Sequence, residues 1–305
     1  MKISRTDAHA NTFALPRLRF ESQQLTSFSG LVLIQQLFAV LKLRTRIAAC
    51  FRHLNDGQVF TPGRVFMQLI VHLLLGFREL REQAYYRHDP LVLRLLGQNR
   101  LPDVATISRQ LRRLDERALD RLRALLRGLV LDRLVLLALA RVTIDFDGLV
   151  QSTGRHAEGT AIGYNRKKKG QRSYYPLLAT IAQTQQVLDV LHRSGNVHDS
   201  RGAREFIIAC IEQVRAMLPH AVIEVRMDGA FFSDEIVQAL ERISVEFTIS
   251  VPFERFPQLK QKIEDRDIWF RIDEQRAAFE AAWKPKRWRL LHRFVFVRTE
   301  RLVAQ

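Results

Sequence analysis

The chain has 305 residues, 47% of them hydrophobic, with a formal net charge of +16 at pH 7. That is enough apolar material for a sizeable core spread over one or two domains, and the basic excess favours a polyanionic partner, because each phosphate neutralised by Lys or Arg releases counterions. Two distant cysteines, Cys50 and Cys210, exclude a disulfide framework and a cysteine zinc site, and no apolar run is long and uncharged enough to read as membrane-spanning.

The charge is uneven. Residues 1–140 carry 22 Lys+Arg against 11 Asp+Glu, whereas residues 141–305 carry 26 against 21. Almost all of the first group is arginine, whose guanidinium fork grips phosphate and reads guanine edges. Nucleic acid is the first expectation and an anionic membrane the second.

Residues 1–30 are mixed and polar, with no apolar stretch close behind Met1 of the kind a signal peptide needs. From Leu31 to Ala140 the pattern is helical, beginning with Leu31, Ile34, Leu37, Phe38 and Leu41 at three- and four-residue spacing. Thr61-Pro62 marks a helix start, with Thr as N-cap and Pro at the first position. His72 on that helix reads as a packed histidine. Asp89-Pro90 opens a shorter helix that stops near Gly97. In the segment Leu101–Leu126, Ile107, Leu111 and Leu114 share an apolar side, opposite Ser108, Arg109, Arg112 and Arg113. A polar turn feeding an Arg-rich helix is the form of a helix-turn-helix reader, so these arginines are candidate DNA contacts. A solvated helix face explains the same pattern equally well.

At Arg141 the period becomes two. Val142, Ile144 and Phe146 alternate with Thr143, Asp145 and Asp147, which predicts a strand. Residues 148–170 read as a polar loop holding the basic run Arg166, Lys167, Lys168 and Lys169. Strands are predicted over Tyr174–Gln183 and Val187–Leu191, joined as a hairpin. A helix over Arg201–Leu218 follows, with Phe206, Ile207, Cys210, Ile211 and Val214 inward. Then come a strand ending at Asp228, a helix over Ser233–Glu241 capped by Ser233, and a strand over Phe247–Val251. The order is that of an α/β domain. The expected division is a helical, basic DNA-binding segment at 1–140, an α/β core at 141–256, and the start of a β-rich insertion at 257–305.

Asp145 and Asp147 lie two apart on one strand, and Asp228 ends another. Strand ends in an α/β sheet converge on ligands, and a small cluster of carboxylates suits Mg²⁺ or Mn²⁺. Two such ions about 4 Å apart would support phosphodiester cleavage and strand transfer. Aspartates at strand ends also serve as turn formers and caps. It is the pair of segments, beside a basic loop that fits DNA-backbone contact, that favours chemistry. His156, His192 and His198 show no metal spacing.

Taken in order, Ile144–Asp147, Gly163–Gly170, Ser173–Leu178, Arg193–His198 and Arg226–Phe232 resemble the catalytic core of group 1 DDE transposases of bacterial insertion sequences. The helical first half, including Ala105–Arg109, resembles that family as well. The resemblance implies an RNase H-like mixed sheet core preceded by an all-helical N-terminal domain. It implies Asp147 and Asp228 as catalytic metal ligands, with Asp145 as a neighbour and further candidate ligand. It also implies double-stranded DNA partners (terminal inverted repeats and target DNA), a homodimer on paired ends, no membrane partner, and a cytoplasmic, nucleoid-associated setting. Gly148 departs from the small hydroxyl residue usual after the first aspartate. The third acid of the family, a helix-borne glutamate, has no counterpart among Glu254, Glu274, Glu280 and Glu300, so the chain is expected to end before it, to bind DNA and to cleave poorly. A truncated, inactive DNA-binding product and an RNase H-like nuclease are the competing readings. A sheet of this type lacking its covering helix is expected to expose apolar surface.

Overall fold

The computed structural model describes residues 25–54, 59–154, 156–163, 168–197 and 202–300. Its contacts divide the chain into two compact units, Met1–Leu122 and Arg123–Gln305.

The first unit is helical: α1 (Leu31–Val40), α2 (Leu43–Cys50), α3 (Pro62–Leu74), α4 (Pro90–Leu96), α5 (Val104–Arg112) and the beginning of α6 (Glu116–Leu137). The predicted caps are present. Thr61 accepts from Arg64 N at 3.4 Å with Pro62 in the first turn, and Asp89 accepts from Leu91 and Val92 N at 3.0 and 3.1 Å. Gly97 closes α4 at φ 63°, a left-handed conformation that glycine adopts without cost. His72 is buried and bonds through Nδ1 to the Tyr86 hydroxyl at 2.9 Å. Burial lowers its pKa below the usual histidine value.

The second unit contains the rest of α6 and the strands. A five-stranded sheet runs in the order β6-β5-β1-β7-β8, formed by β1 (Arg141–Gly148), β5 (Leu177–Ile181), β6 (Gln186–Leu191), β7 (Val222–Met227) and β8 (Glu246–Ile249). β6, β5 and β1 are antiparallel neighbours, while β1, β7 and β8 are parallel. The parallel strands need crossovers, supplied by α7 (Ala203–Met217) and α8 (Asp234–Arg242). This is the RNase H-like mixed sheet, preceded by helices. Val142, Ile144 and Phe146 join Val130 and Leu134 of α6, the inward stripe of α7, and Ile236 and Leu240 of α8 in one core.

Three expectations change. The strand predicted over Tyr174–Gln183 is broken: β4 (Arg172–Tyr174) belongs to a different sheet, and β5 starts only at Leu177. Pro176 lies between them and has no N–H for a ladder. Residues 148–170 are not wholly loop, since β2 (Gln151–Ser152) and β3 (Ala161–Ile162) flank β4 in that second sheet. Leu114 falls outside α5, which ends at Arg112.

The face of the large sheet opposite the core is polar along β1 and β8 and mixed elsewhere, with Val222 on β7, Leu178 on β5 and Val190 on β6 sharing it. Arg141 donates to Glu246 at 2.5 Å, the Thr143 hydroxyl to Glu224 at 3.1 Å, and Arg226 to Asp145. The pattern is legible in the alternation of β1, whose outward residues Arg141, Thr143, Asp145 and Asp147 are all charged or hydroxylated, and of β7, where Glu224 and Arg226 follow an outward Val222. Beyond the large sheet, α9 (Pro257–Glu264) leads into a third, antiparallel sheet of β9 (Phe270–Arg271), β10 (Arg276–Trp283) and β11 (His292–Thr299).

Candidate active site

Parallel pairing of β1 with β7 sets Asp145 opposite Arg226 and Phe146 opposite Met227. Asp147 follows Phe146 on β1, and Asp228 follows Met227, the last residue of β7, so both aspartates lie just beyond the last paired residues of these two strands. Both aspartates are exposed at the strand ends. One oxygen of each is held by local backbone: Asp147 Oδ1 accepts from Gly148 N at 2.7 Å, and Asp228 Oδ1 accepts from Ala230 N at 3.0 Å. The second bond caps the 3₁₀ turn Gly229–Phe231, so the chain's change of direction after β7 also fixes the carboxylate's orientation.

Asp145 sits in a different environment. The Arg226 fork grips both of its oxygens, Nε to Oδ1 at 2.6 Å and Nη2 to Oδ2 at 2.8 Å. The same hydrogen bonding raises the Arg226 pKa above the usual arginine value. Asp145 is thereby neutralised by a permanent cation, while Asp147 and Asp228 remain at the edge of the sheet. Arg226 was the residue missed from the sequence. Its signal is the register: residues 81 apart pair throughout β1 and β7.

Gly148 has a structural reason for lacking a side chain. A Cβ there would lie 2.5 Å from the Tyr175 hydroxyl and 2.7 Å from Cζ. Tyr175 is held in turn by Arg193, which is buried, donates from Nε to the Tyr175 carbonyl at 3.1 Å and stacks 5.2 Å from its ring centroid. Nearby, Gly163 and Gly195 meet backbone to backbone: a Cβ on Gly163 would come within 2.1 Å of the Gly195 carbonyl oxygen. This contact anchors the entry to the basic loop. Lys168 and Lys169 at its exit are exposed. Arg166, Lys167 and His198 lie outside the described residues.

In the helical unit, Asp103 caps α5 by accepting from Thr106 N at 2.6 Å. Arg109 and Arg112 are exposed, whereas Arg113 is half-buried and donates to the Leu54 carbonyl at 3.1 Å. Of the late glutamates, Glu280 is engaged by Arg293.

Among the described residues, no group of three or more His, Cys, Asp or Glu side chains is arranged to hold a metal. The donor set at the strand ends is two carboxylates. Such a set suits Mg²⁺ or Mn²⁺, which commonly bind one or two protein carboxylates and complete their shell with water and substrate phosphate oxygens.

The family profile described as "Transposase DDE domain group 1" matches residues 16–304. The chain belongs to this transposase family. Among solved structures, the transposase chain is similar to the Mos1 transposase paired-end complex with left transposon end, at 12% identity and TM-score 0.27, covering 74% of this chain and 90% of that one. It is similar to a piggyBac transposase synaptic complex with hairpin DNA at 11% identity and TM-score 0.32, covering 86% and 51%. It is also similar to a simian T-cell lymphotropic virus intasome chain at 14% identity and TM-score 0.23, covering 41% and 40%. The transposase chain thus spans less than two thirds of the piggyBac and intasome chains. No curated protein matches it. Among the described residues, no helix is long and apolar enough to cross a membrane.

Proposed function

We propose that this chain acts in DNA transposition, with Asp147 and Asp228 as the two carboxylates that hold Mg²⁺ or Mn²⁺ at the end of the β1–β7 pair. The observation that supports this is the register: Phe146 pairs with Met227, so Asp147 and Asp228 each follow the last paired residue of two neighbouring parallel strands, and they are the two aspartates that the resemblance of the motifs implies as metal ligands. A divalent cation held there would supply Lewis-acid stabilisation and an activated water or 3′-hydroxyl for phosphodiester cleavage and strand transfer. The chain's own residues prepare the site. Backbone N–H groups fix both carboxylates, and Arg226 occupies Asp145, which serves as a positioning residue rather than a ligand.

The substrate in this reading is double-stranded DNA, both the terminal inverted repeats of a bacterial insertion sequence and its target. Mos1 and piggyBac transposases are described in complexes with transposon-end and hairpin DNA. The arginine-rich helical segment, through Arg109 and Arg112, and the basic loop with Lys168 and Lys169 would contact the backbone. The working form is a homodimer on paired ends, associated with the nucleoid.

The test is binding and cleavage of end-bearing duplexes. Affinity should fall steeply with salt. Cleavage should be weak, because no third carboxylate joins Asp147 and Asp228 among the described residues, and what there is should need Mg²⁺ and disappear in Asp228→Ala. Salt-independent binding would sink the nucleic-acid reading, and cleavage that persists in Asp228→Ala would sink the catalytic one.

A further inference from the structure

Glycine at position 148 loosens the peptide on which the first aspartate depends. The Gly148 N–H holds Asp147 Oδ1 at 2.7 Å, yet a residue without a Cβ restricts its own φ and ψ less than any other. Left to itself, that N–H would sample orientations that release the carboxylate. The neighbouring strand supplies the missing restraint. Gly148 pairs with Leu177 on β5, and Leu149 N donates to the Pro176 carbonyl at 3.0 Å. This pairing brings Tyr175 to the end of β1. Its phenol lies against Gly148 on the side where a Cβ would project, with the hydroxyl, Cζ and Cε2 at 2.5, 2.7 and 2.9 Å from that position.

The ring is itself braced. Tyr175 N donates to the Arg193 carbonyl at 2.8 Å, and Arg193 Nε donates back to the Tyr175 carbonyl at 3.1 Å. The Arg193 guanidinium carbon lies 5.2 Å from the ring centroid, within cation–π reach. Arg193 is buried, so solvent screens that attraction little. The phenol is therefore clamped between a buried cation and the backbone that follows Asp147.

We propose that Tyr175 is a positioning residue for Asp147. Its phenol, braced by Arg193, takes the place of the side chain that Gly148 lacks, and so fixes the peptide that orients the carboxylate. This role rests on Asp147 being a ligand of the divalent cation. Tyr175 acts through Gly148 and touches neither ion nor substrate. A carboxylate that swings freely must be ordered each time it binds, at a cost in conformational entropy. The hydroxyl is the atom nearest the Cβ position, so its removal opens a gap beside Gly148 while leaving the ring on Arg193.

The experiment uses the metal-free full chain labelled with ¹⁵N-glycine. Of its 14 glycines, Gly148 is the one whose amide signal is missing from Gly148→Ala. Tyr175→Phe should shift that signal and speed its hydrogen exchange, with circular dichroism unchanged. Mn²⁺, titrated by electron paramagnetic resonance, should bind Tyr175→Phe about ten-fold more weakly, as loss of a group that orients a ligand does. Gly148→Ala, whose Cβ pushes the phenol aside, should weaken binding as well. The double variant should lose no more than the weaker-binding single one, because both changes act on one contact. In a chain that binds Mn²⁺ through Asp147 and Asp228, an unmoved Gly148 signal, an unchanged affinity in Tyr175→Phe or additive losses would each overturn the role of Tyr175 alone. A wild-type chain that binds no Mn²⁺ would overturn the two-aspartate reading and the role of Tyr175 with it.

Discussion

Asp189 offers the sharpest test of how the catalytic sheet is held together. Its carboxylate lies on β6 with 4% of the side chain exposed. It accepts from Arg123 Nε and Nη2 at 3.0 and 2.9 Å and from Arg127 Nη1 at 2.8 Å. Val190 N adds a fourth bond at 2.7 Å. Breaking a buried ion pair from one side costs about 3–5 kcal/mol, because the partner charge is left uncompensated. The two arginines are 37% and 23% exposed and can regain water, so Asp189→Ala belongs at the lower end, about 3 kcal/mol. With a urea slope of about 2 kcal/mol per molar, the midpoint falls by about 1.5 M. The assay is urea unfolding followed by tryptophan fluorescence and circular dichroism together. Trp269, Trp283 and Trp288 all lie in the second unit, so fluorescence reports on that unit. Asp189→Asn, which keeps an acceptor for Val190 N, should lose less. A midpoint shift below about 0.3 M for Asp189→Ala would refute the clamp, since it corresponds to a surface pair.

Gly163→Ala should destabilise the small β2–β3–β4 sheet, because the clash is with backbone and no rotamer relieves it. Loss of amide protection in β4 measures this, and unchanged exchange would contradict it. The Asp145–Arg226 pair is half-exposed, so a double-mutant cycle should give a coupling of at most about 1 kcal/mol. A larger value would mean the pair is structural beyond its geometry. His72 has a folded pKa below its unfolded one, so its contribution is complete above the unfolded value and is lost as pH falls through the folded one. Thermal stability of the helical unit should therefore drop on acidification from pH 7 toward 5, and His72→Gln should flatten that slope. The Cys210 thiol, pushed up to about 12 chiefly by burial, should resist alkylation until the second unit unfolds, and fast labelling of the native chain would count against its burial.

Much of this architecture was legible because local signals and tertiary demand agree. Thr61-Pro62, Asp89-Pro90 and Ser233 announce helix starts through their caps, and the inward stripe of α7 follows from spacing alone. Asp147 and Asp228 stand out because apolar alternation stops at each of them. What escaped depended on pairing between distant segments. Nothing within β1 reveals that Asp145 is occupied by Arg226, since that follows from register with β7. The break at Pro176 was available in the sequence, yet hydrophobic continuity across it suggested one strand. The polar outward face was likewise written in the alternation of β1 and β7. The expectation of exposed apolar surface came from the missing covering helix and not from the alternation of these strands.

The central claim is that Asp147 and Asp228, and not Asp145, hold the divalent cation. Mn²⁺ binding, titrated by electron paramagnetic resonance on the full chain and on Asp147→Asn, Asp228→Asn and Asp145→Asn, tests it most directly. The first two variants should lose binding and the third should keep it. Binding that survives Asp147→Asn or Asp228→Asn, or that vanishes with Asp145→Asn while the fold is intact, would contradict the site described here.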